Sequence, residues 1–262
     1  MIVVHFYVGK EKKMNSKNRR KEIEKYLLLQ GKVDVEELVN KFHVSTMTIR
    51  RDLLQLERDN KIVRTHGGAV STSGLINETA HSSKENKFLF EKKAIATEAA
   101  NFISAGSTIF LDSGTTTLEV ARHLKMKENI TIITNDIFIA LELINSNNQL
   151  LVTGGHLQNH IGAMLGSHTE ALLQQINVDI LLLGAHAVHP TTGITAPTLD
   201  KAKAKQLMIK AAKETWLIAD SSKFNKKAFA KVCSLDDIDG IVTDVNSKKE
   251  NVESYHNNVI FA

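Results

Sequence analysis

From Lys92 onward the chain alternates between two textures, and that alternation leaves few folds open. Six short, apolar, β-rich runs recur: Thr108-Ile-Phe-Leu-Asp112, Ile130-Thr-Ile-Ile-Thr134, Leu150-Leu-Val-Thr153, Val178-Asp-Ile-Leu-Leu-Leu183, Thr215-Trp-Leu-Ile-Ala219 and Ile238-Asp-Gly-Ile-Val-Thr243. Amphipathic stretches such as Leu118 to Leu124 and Lys201 to Ala212 lie between them. Strands that are apolar throughout are buried on both faces, and helices between them are the connections a parallel sheet needs. Residues 91–262 therefore predict an α/β domain with a mainly parallel sheet.

The N-terminal part reads differently. Residues 17 to 29 predict a helix, with Ile23, Tyr26 and Leu27 at helical spacing and Gly31 as its stop. Asp34 with Glu37 three residues later predicts a capping box for a second helix that buries Val35, Leu38 and Phe42. Ser45 predicts the cap of a third helix, whose inward stripe is Ile49, Leu53 and Leu56. Ile62-Val63, Gly67-Gly68 and Ala69-Val70 then predict a small hairpin. Three short helices and a hairpin make a winged helix-turn-helix over residues 16–71, with the helix-turn-helix at about 33–52. Residues 72–90, rich in Ser, Asn, Thr, Glu and Lys without a period, predict a linker.

Charge follows this division. Residues 1–66 carry 15 Lys and Arg against 9 Asp and Glu, whereas the remainder carries 18 against 20. A basic small module is the electrostatic footprint of a nucleic-acid binder, although six charges are a modest excess. Burying Ile49, Leu53 and Leu56 leaves Thr46, Thr48, Arg50, Arg51 and Gln55 on other faces of the third helix, with Ser45 at its start. Arginine grips guanine in a bidentate fashion, and hydroxyls reach phosphates or bases. Arg64 and His66 fall on the wing, near where a DNA backbone would run. On spacing alone, the module reads either as a DNA binder or as a plain three-helix bundle with solvated arginines.

Asp112-Ser113-Gly114-Thr115-Thr116-Thr117 falls between a strand and a helix. Free N–H groups at a helix start, together with hydroxyls, make an anion site; the same residues also suit a simple helix cap. No Gly-Lys-Ser/Thr follows, so this is not a P-loop. Loops at the other strand ends bring Asn135, Gly154, Gly155, His186 and Lys223 toward the same crevice. Lys205, early on a helix, adds a cation.

Other classes find little support. The single cysteine, Cys233, can form no internal disulfide, which suits a reducing cytoplasm. No apolar run reaches the 18 or so residues a membrane helix needs. The pairs His156/His160 and His186/His189 lack a thiol or carboxylate cluster to complete a metal site, so no metal and no cofactor is expected. Met1 to Val8 is apolar, but its charges follow the stretch instead of preceding it, so it does not read as a signal peptide. The natural start reads as Met14, with an extra N-terminal strand as the alternative.

Val33 to Glu57, with its Thr48-Ile-Arg-Arg-Asp-Leu53 core, and Val63-Arg-Thr-His-Gly-Gly-Ala69 closely resemble the DeoR-family signature. Glu91-Lys92, Asp112 to Thr117, Thr134-Asn135, Gly154-Gly155, Gly184-Ala185, Lys205 with Met208, Asp220-Ser-Ser-Lys-Phe224 and Thr243-Asp244 match that family's sensor domain in order. The similarity runs from about Ser16 to Asp244. It implies a transcriptional regulator: a repressor of a sugar-utilisation operon, at least dimeric, released from its DNA operator by a phosphorylated sugar. An activator built from the same parts stays open. The sensor domain is related to the ribose-5-phosphate isomerase fold, whose Asp-Gly-Ala-Asp-Glu segment serves proton transfer. Here that stretch reads Leu183-Gly-Ala-His-Ala187, so all three acids are gone and no enzyme activity is expected. An isomerase with an accessory DNA module is the competing reading. Two further departures are His43, where the family has glycine in the helix-helix turn, and Lys201, where it often has an acid.

Overall fold

The computed structural model describes residues 14–30, 32–59, 62–64, 67–71 and 80–262. The chain divides into two compact units, Met1–Asn77 and Glu78–Ala262, each described by itself. The question of where the chain starts, like His66, lies outside the described residues.

In the first unit, helix α1 (Ser16–Gln30), α2 (Val35–Phe42) and α3 (Thr46–Arg58) surround Ile23, Leu27, Val35, Leu38, Ile49, Leu53 and Leu56. Asp34 caps α2 by accepting the Glu36 N–H at 3.0 Å. The capping box expected with Glu37 does not form: Asp34 accepts the N2 and not the N3 N–H, and the Glu37 carboxylate takes the Tyr26 hydroxyl instead of reaching back. Ser45 caps α3 by accepting the Thr48 N–H. Between α2 and α3 His43 sits at φ 50, ψ 46, the left-handed conformation that glycine adopts most cheaply. A buried ion pair that the helical periodicity does not reveal, Arg19 to Asp52 at 2.6 Å, ties α1 to α3.

The hairpin forms from β2 (Ile62–Arg64) and β3 (Gly68–Ser71), antiparallel with Arg64 opposite Ala69. A third strand, β1 (Lys32–Asp34), pairs with the other edge of β3. Three residues between two helices are too few to show a period, so the sequence does not signal it. Gly68 is required there: a Cβ would lie 1.9 Å from the Val33 carbonyl oxygen.

The second unit opens where the sequence predicts a linker. Residues His81–Glu85 form a one-turn helix, α4, and Leu89–Asn101 form α5. Polar composition hid α4, because packing and not periodicity holds it: His81 is buried and stacks on Phe138 at 3.9 Å. The sheet follows as β4 (Thr108–Leu111), β5 (Thr131–Thr134), β6 (Gln149–Val152), β9 (Val178–Gly184), β12 (Ala212–Ile218), β14 (Gly240–Thr243) and β15 (Val259–Phe261). All neighbours are parallel, in the order β15-β14-β12-β9-β4-β5-β6. The six expected strands are all present; β15 lies beyond the alternating pattern and adds an edge.

Side chains alternate across the sheet. Ile109, Leu111, Ile180 and Leu182 face a layer containing α5 and α6 (Thr115–Leu124). Phe110, Leu181, Leu183 and Leu217 face α9 (Leu199–Ala211). On that second side lies a small antiparallel sheet of β10 (Ala187–His189), β11 (Gly193–Ala196) and β13 (Ala230–Cys233), too short and irregular for sequence reading. Helix α7 (Ile137–Leu143), a two-strand ribbon of β7 (His156–Leu157) and β8 (Met164–Leu165), and α8 (Ser167–Leu173) complete the unit. The loops after β4, β5, β9 and β12 leave the same edge of the sheet, which is where an open parallel sheet forms its crevice.

Candidate functional site

The first unit splits the expected DNA-reading residues between two grooves. Thr46 and Arg50, from the first turns of α3, share one groove with Arg64, Gly67 and Gly68 of the wing. Arg50 and Arg51 are exposed and make no ion pair among the described residues. Ser45 and Thr48 line the other groove, beside His43 and Lys41, and their hydroxyls lie 2.9 Å apart. Those hydroxyls serve the cap first. Gln55, half-buried at the far end of α3, donates to Asp59 at 3.0 Å and is turned away from the helix start. Arg64 is exposed, and its guanidinium approaches Glu57 at 3.8 Å. Lys41 joins the second of these grooves without having been signalled by the sequence.

In the second unit one cavity collects most of the expected ligand residues. Ser113, Gly114, Thr115, Thr116 and Thr117 line it from the start of α6; Gly184, Ala185 and His186 line it after β9. Lys201 and Lys205 enter from α9, and Lys223 from the turn after β12. Thr117 donates its hydroxyl to the Gly114 carbonyl at 2.8 Å, so it shapes the loop. Asp112 does not line the cavity. Its carboxylate accepts the Ser113 N–H at 2.8 Å, the Gly184 N–H at 2.9 Å and the Lys205 ammonium. Lys205 also donates to the Gly184 carbonyl at 2.9 Å. Asp112 and Lys205 thus fasten the ends of β4, β9 and α9 into one frame.

Three expected residues stand apart. Asn135 donates to the Met164 carbonyl at 3.2 Å and is buried behind the cavity. Gly154 accepts the Thr169 hydroxyl at 2.6 Å. Gly155, at φ 111, lies so close to Thr169 and Leu165 that a Cβ would meet atoms at 2.4 and 2.5 Å. This glycine pair fits the turn onto α8 and does not line the cavity. Conversely, His81, Lys84, Asp136, Ile161 and Pro197 line the cavity without a sequence signal. Asp136 stands next to the quoted Asn135, and its cap on α7 gives it a local role that the pattern could show; His81 and Lys84 fell within the supposed linker.

The cavity is crowded with positive charge. Burial, then Lys223, pushes Lys84 down to about 8. Burial, then Lys205, pushes Lys201 down to about 7. His186 falls to about 4 through burial and the neighbouring lysines, so its imidazole is neutral at pH 7 and acts as a hydrogen-bonding group. Burial raises Asp136 to about 6, against the Phe138 and Ile139 N–H groups that favour its charged form. Ammonium groups whose charged form is opposed by burial, and then by one another, are relieved by an incoming anion. At the same place the first turn of α6 presents its N-terminal N–H groups and the hydroxyls of Thr115 and Thr116.

An N-terminal winged helix with free arginines on its third helix, followed by a parallel α/β unit with an anion-receptive cavity, defines a ligand-responsive DNA-binding regulator. Comparison with known proteins agrees. The DeoR-like helix-turn-helix domain matches residues 19–74, and the DeoR C terminal sensor domain matches residues 88–245. The HTH-type transcriptional regulator GlpR of Haloferax volcanii is 37% identical over 223 residues, covering 84% of this chain and 88% of that protein. The lactose phosphotransferase system repressor of Staphylococcus epidermidis is 34% identical over 248 residues, covering 92% and 98%. Among solved structures, ribose 5-phosphate isomerase A from Methanocaldococcus jannaschii matches with a TM-score of 0.40 and 19% identity, over 53% of this chain and 55% of that one. The chain belongs to the DeoR family of transcriptional regulators. No helix among the described residues is long and apolar enough to cross a membrane.

Proposed function

We propose that this regulator is a cytoplasmic repressor of a sugar-utilisation operon, and that a phosphorylated sugar entering the α6 cavity releases it from its operator. The observation that carries this reading is the convergence of the α6 start, with Ser113, Thr115 and Thr116, on Lys201, Lys205 and Lys223. A phosphate dianion needs several donors and a cation, and this geometry offers both. Neutral His186 and ionisable Asp136 would then address sugar hydroxyls. On the DNA side, Thr46, Arg50 and Arg64 share the groove that would take base edges and backbone, with Arg51 beside it. A dimer or higher oligomer would place two such modules on half-sites about 10–10.5 bp apart or at multiples of that spacing.

The ligand is bound and not turned over. The strand end that matches the isomerase acid segment carries Leu183, His186 and Ala187, and the one carboxylate lining the cavity among the described residues, Asp136, spends its Oδ1 on capping α7. A ketose–aldose conversion assay is expected to give no product.

The test is a thermal-shift screen of the full chain against sugar phosphates and their unphosphorylated sugars. A ligand that binds only the folded state raises the melting temperature. Thr116→Val keeps the shape and removes one donor. A hydrogen bond to a charged group is worth ~1.5–3 kcal/mol, so ligand affinity should fall about tenfold or more while ligand-free operator binding holds. Equal shifts with the unphosphorylated sugar, or an unaltered Thr116→Val, would sink the reading.

A further inference from the structure

Two of the cavity residues, His81 and Lys84, come from α4, which begins three residues after the second unit does. No other lining segment lies so close in sequence to the DNA-reading unit. Both side chains are poised and incompletely satisfied. His81 is 5% exposed, and its Nε2 is buried without a hydrogen-bond partner among the described residues. The Lys84 ammonium makes no ion pair or hydrogen bond among the described residues, and Lys205 and Lys223 are its cationic neighbours.

The backbone of α4, by contrast, is held from behind. Buried Lys92 donates to the Lys84 carbonyl at 2.6 Å and to the Glu85 carbonyl at 3.4 Å. Glu85 pairs at 3.1 Å with Arg122 of α6, the helix whose first turn forms the anion-receptive wall. The His81 N–H donates to the His160 carbonyl at 2.8 Å. One short helix is therefore attached to the sensor frame and brings to the cavity lining an unpaired cation, Lys84, and a histidine, His81, whose Nε2 is buried without a hydrogen-bond partner among the described residues.

We infer that α4 is the element that reads the cavity: an anionic ligand bonds Lys84 and His81, fixes α4 on the sensor unit, and by that means lowers the affinity of the preceding DNA-reading unit for its operator. This rests on the reading of the cavity as an effector site. A ligand shifts an equilibrium only through contacts that differ between two states. The contacts of Lys84 and His81 are of that kind, because they exist only when α4 is seated. The coupling is reciprocal, so operator DNA must weaken ligand binding by the factor with which ligand weakens DNA binding.

The experiment uses the full chain and a duplex that it selects from a random pool. The probes are fructose 1-phosphate, glucose 6-phosphate, tagatose 6-phosphate and inorganic phosphate as the anion alone. Three readouts are taken: calorimetric binding, duplex release by fluorescence anisotropy, and hydrogen exchange of residues 80–88. In the wild type the best-binding probe should release the duplex and slow exchange across 80–88. Lys84→Met should bind that probe within about threefold of wild type, yet at saturating probe should show at least tenfold less weakening of duplex affinity than wild type and no slowing at 80–88. Lys84→Arg, which keeps the cation, should restore release, and Lys87→Met, an exposed neighbour outside the cavity, should behave as wild type. Melting curves of the ligand-free variants confirm that each is folded. Wild-type release by Lys84→Met overturns the inference. So does a loss of probe binding as deep as that of Thr116→Val, since Lys84 would then be an affinity contact only. If no probe binds the wild type, the effector reading of the cavity itself falls, and this inference with it.

Discussion

In the DNA-reading unit Thr46, Arg50 and Arg51 stand exposed on α3, whereas in the sensor unit Thr116, Lys201 and Lys205 are more than nine-tenths buried. Each unit nevertheless contains, among the described residues, an ion pair with both side chains buried: Arg19 with Asp52 in the first, Lys205 with Asp112 in the second. The pairs do different work. Asp52, adjacent to Arg51, holds α3 in place and leaves the arginines beside it free. Asp112 holds a lysine that itself faces the cavity, so frame and site are one. A surface that meets a polyanion can be added to a finished core, but a pocket for a small anion has to be built out of the core.

The largest expected effect tests whether the two frames are independent. Asp52→Ala leaves Arg19 buried without its partner, and breaking a buried pair costs ~3–5 kcal/mol. Thermal melts followed by circular dichroism should show the first unit destabilised and the sensor transition in place. Asp112→Ala should do the reverse. A single variant that lowers both transitions equally would end the comparison.

Asp136→Asn comes next. The folded-state carboxyl titrates near 6 against an ordinary 3.8, so ionisation opposes folding. The cost is absent below about pH 4, grows through the window to about pH 6, and is full above it. Asparagine caps a helix equally well. The variant should therefore gain on the order of 2 kcal/mol at pH 7.5, shrinking toward zero as pH falls to 4. A pH-independent gain would mean that the carboxylate is not strained by burial.

On the exposed side, Arg50→Ala and Arg51→Ala should each cost ~1–3 kcal/mol on the operator if the arginine reads a base, and less on a random duplex. Equal losses on both duplexes would assign that arginine to phosphate. Gln55→Ala, tied to Asp59, should change operator affinity by less than either. The smallest effect is at the turn: His43→Gly should stabilise the first unit by about 1 kcal/mol by removing a left-handed non-glycine residue. A loss of stability there would show that the imidazole makes a contact worth more than the strain.

The same contrast explains what could be read beforehand. The winged helix and the six core strands were legible because amphipathic period and apolar runs are local signals. Arg50 and Arg51 were legible for the same reason: a helical stripe that buries Ile49, Leu53 and Leu56 leaves them outside. The Ser113–Thr117 loop announced itself by its hydroxyls between strand and helix. His81 and Lys84 did not, since a five-residue helix held by a ring stack and a lysine–carbonyl bond has no period. Gly154 and Gly155 read as crevice-facing loop residues because sequence cannot tell a loop that meets a ligand from one in which Gly155 packs against Thr169. The buried partner of Lys205 lies 93 residues away, a separation that no local pattern encodes.

The order of the strands has a consequence for the timing of synthesis. The central strand β9 must insert between β4, made long before it, and β12, made after it, so the cavity at the start of α6 closes only when α9 and the turn at Lys223 have emerged. The DNA-reading unit, by contrast, is complete within the first 77 residues. At translation rates of ~5–20 residues per second, the 185 residues of the second unit take roughly 10–40 s to follow. During that interval a nascent chain carries its DNA-reading unit without the cavity, so under the proposed function newly made regulator would begin life unable to respond to its ligand.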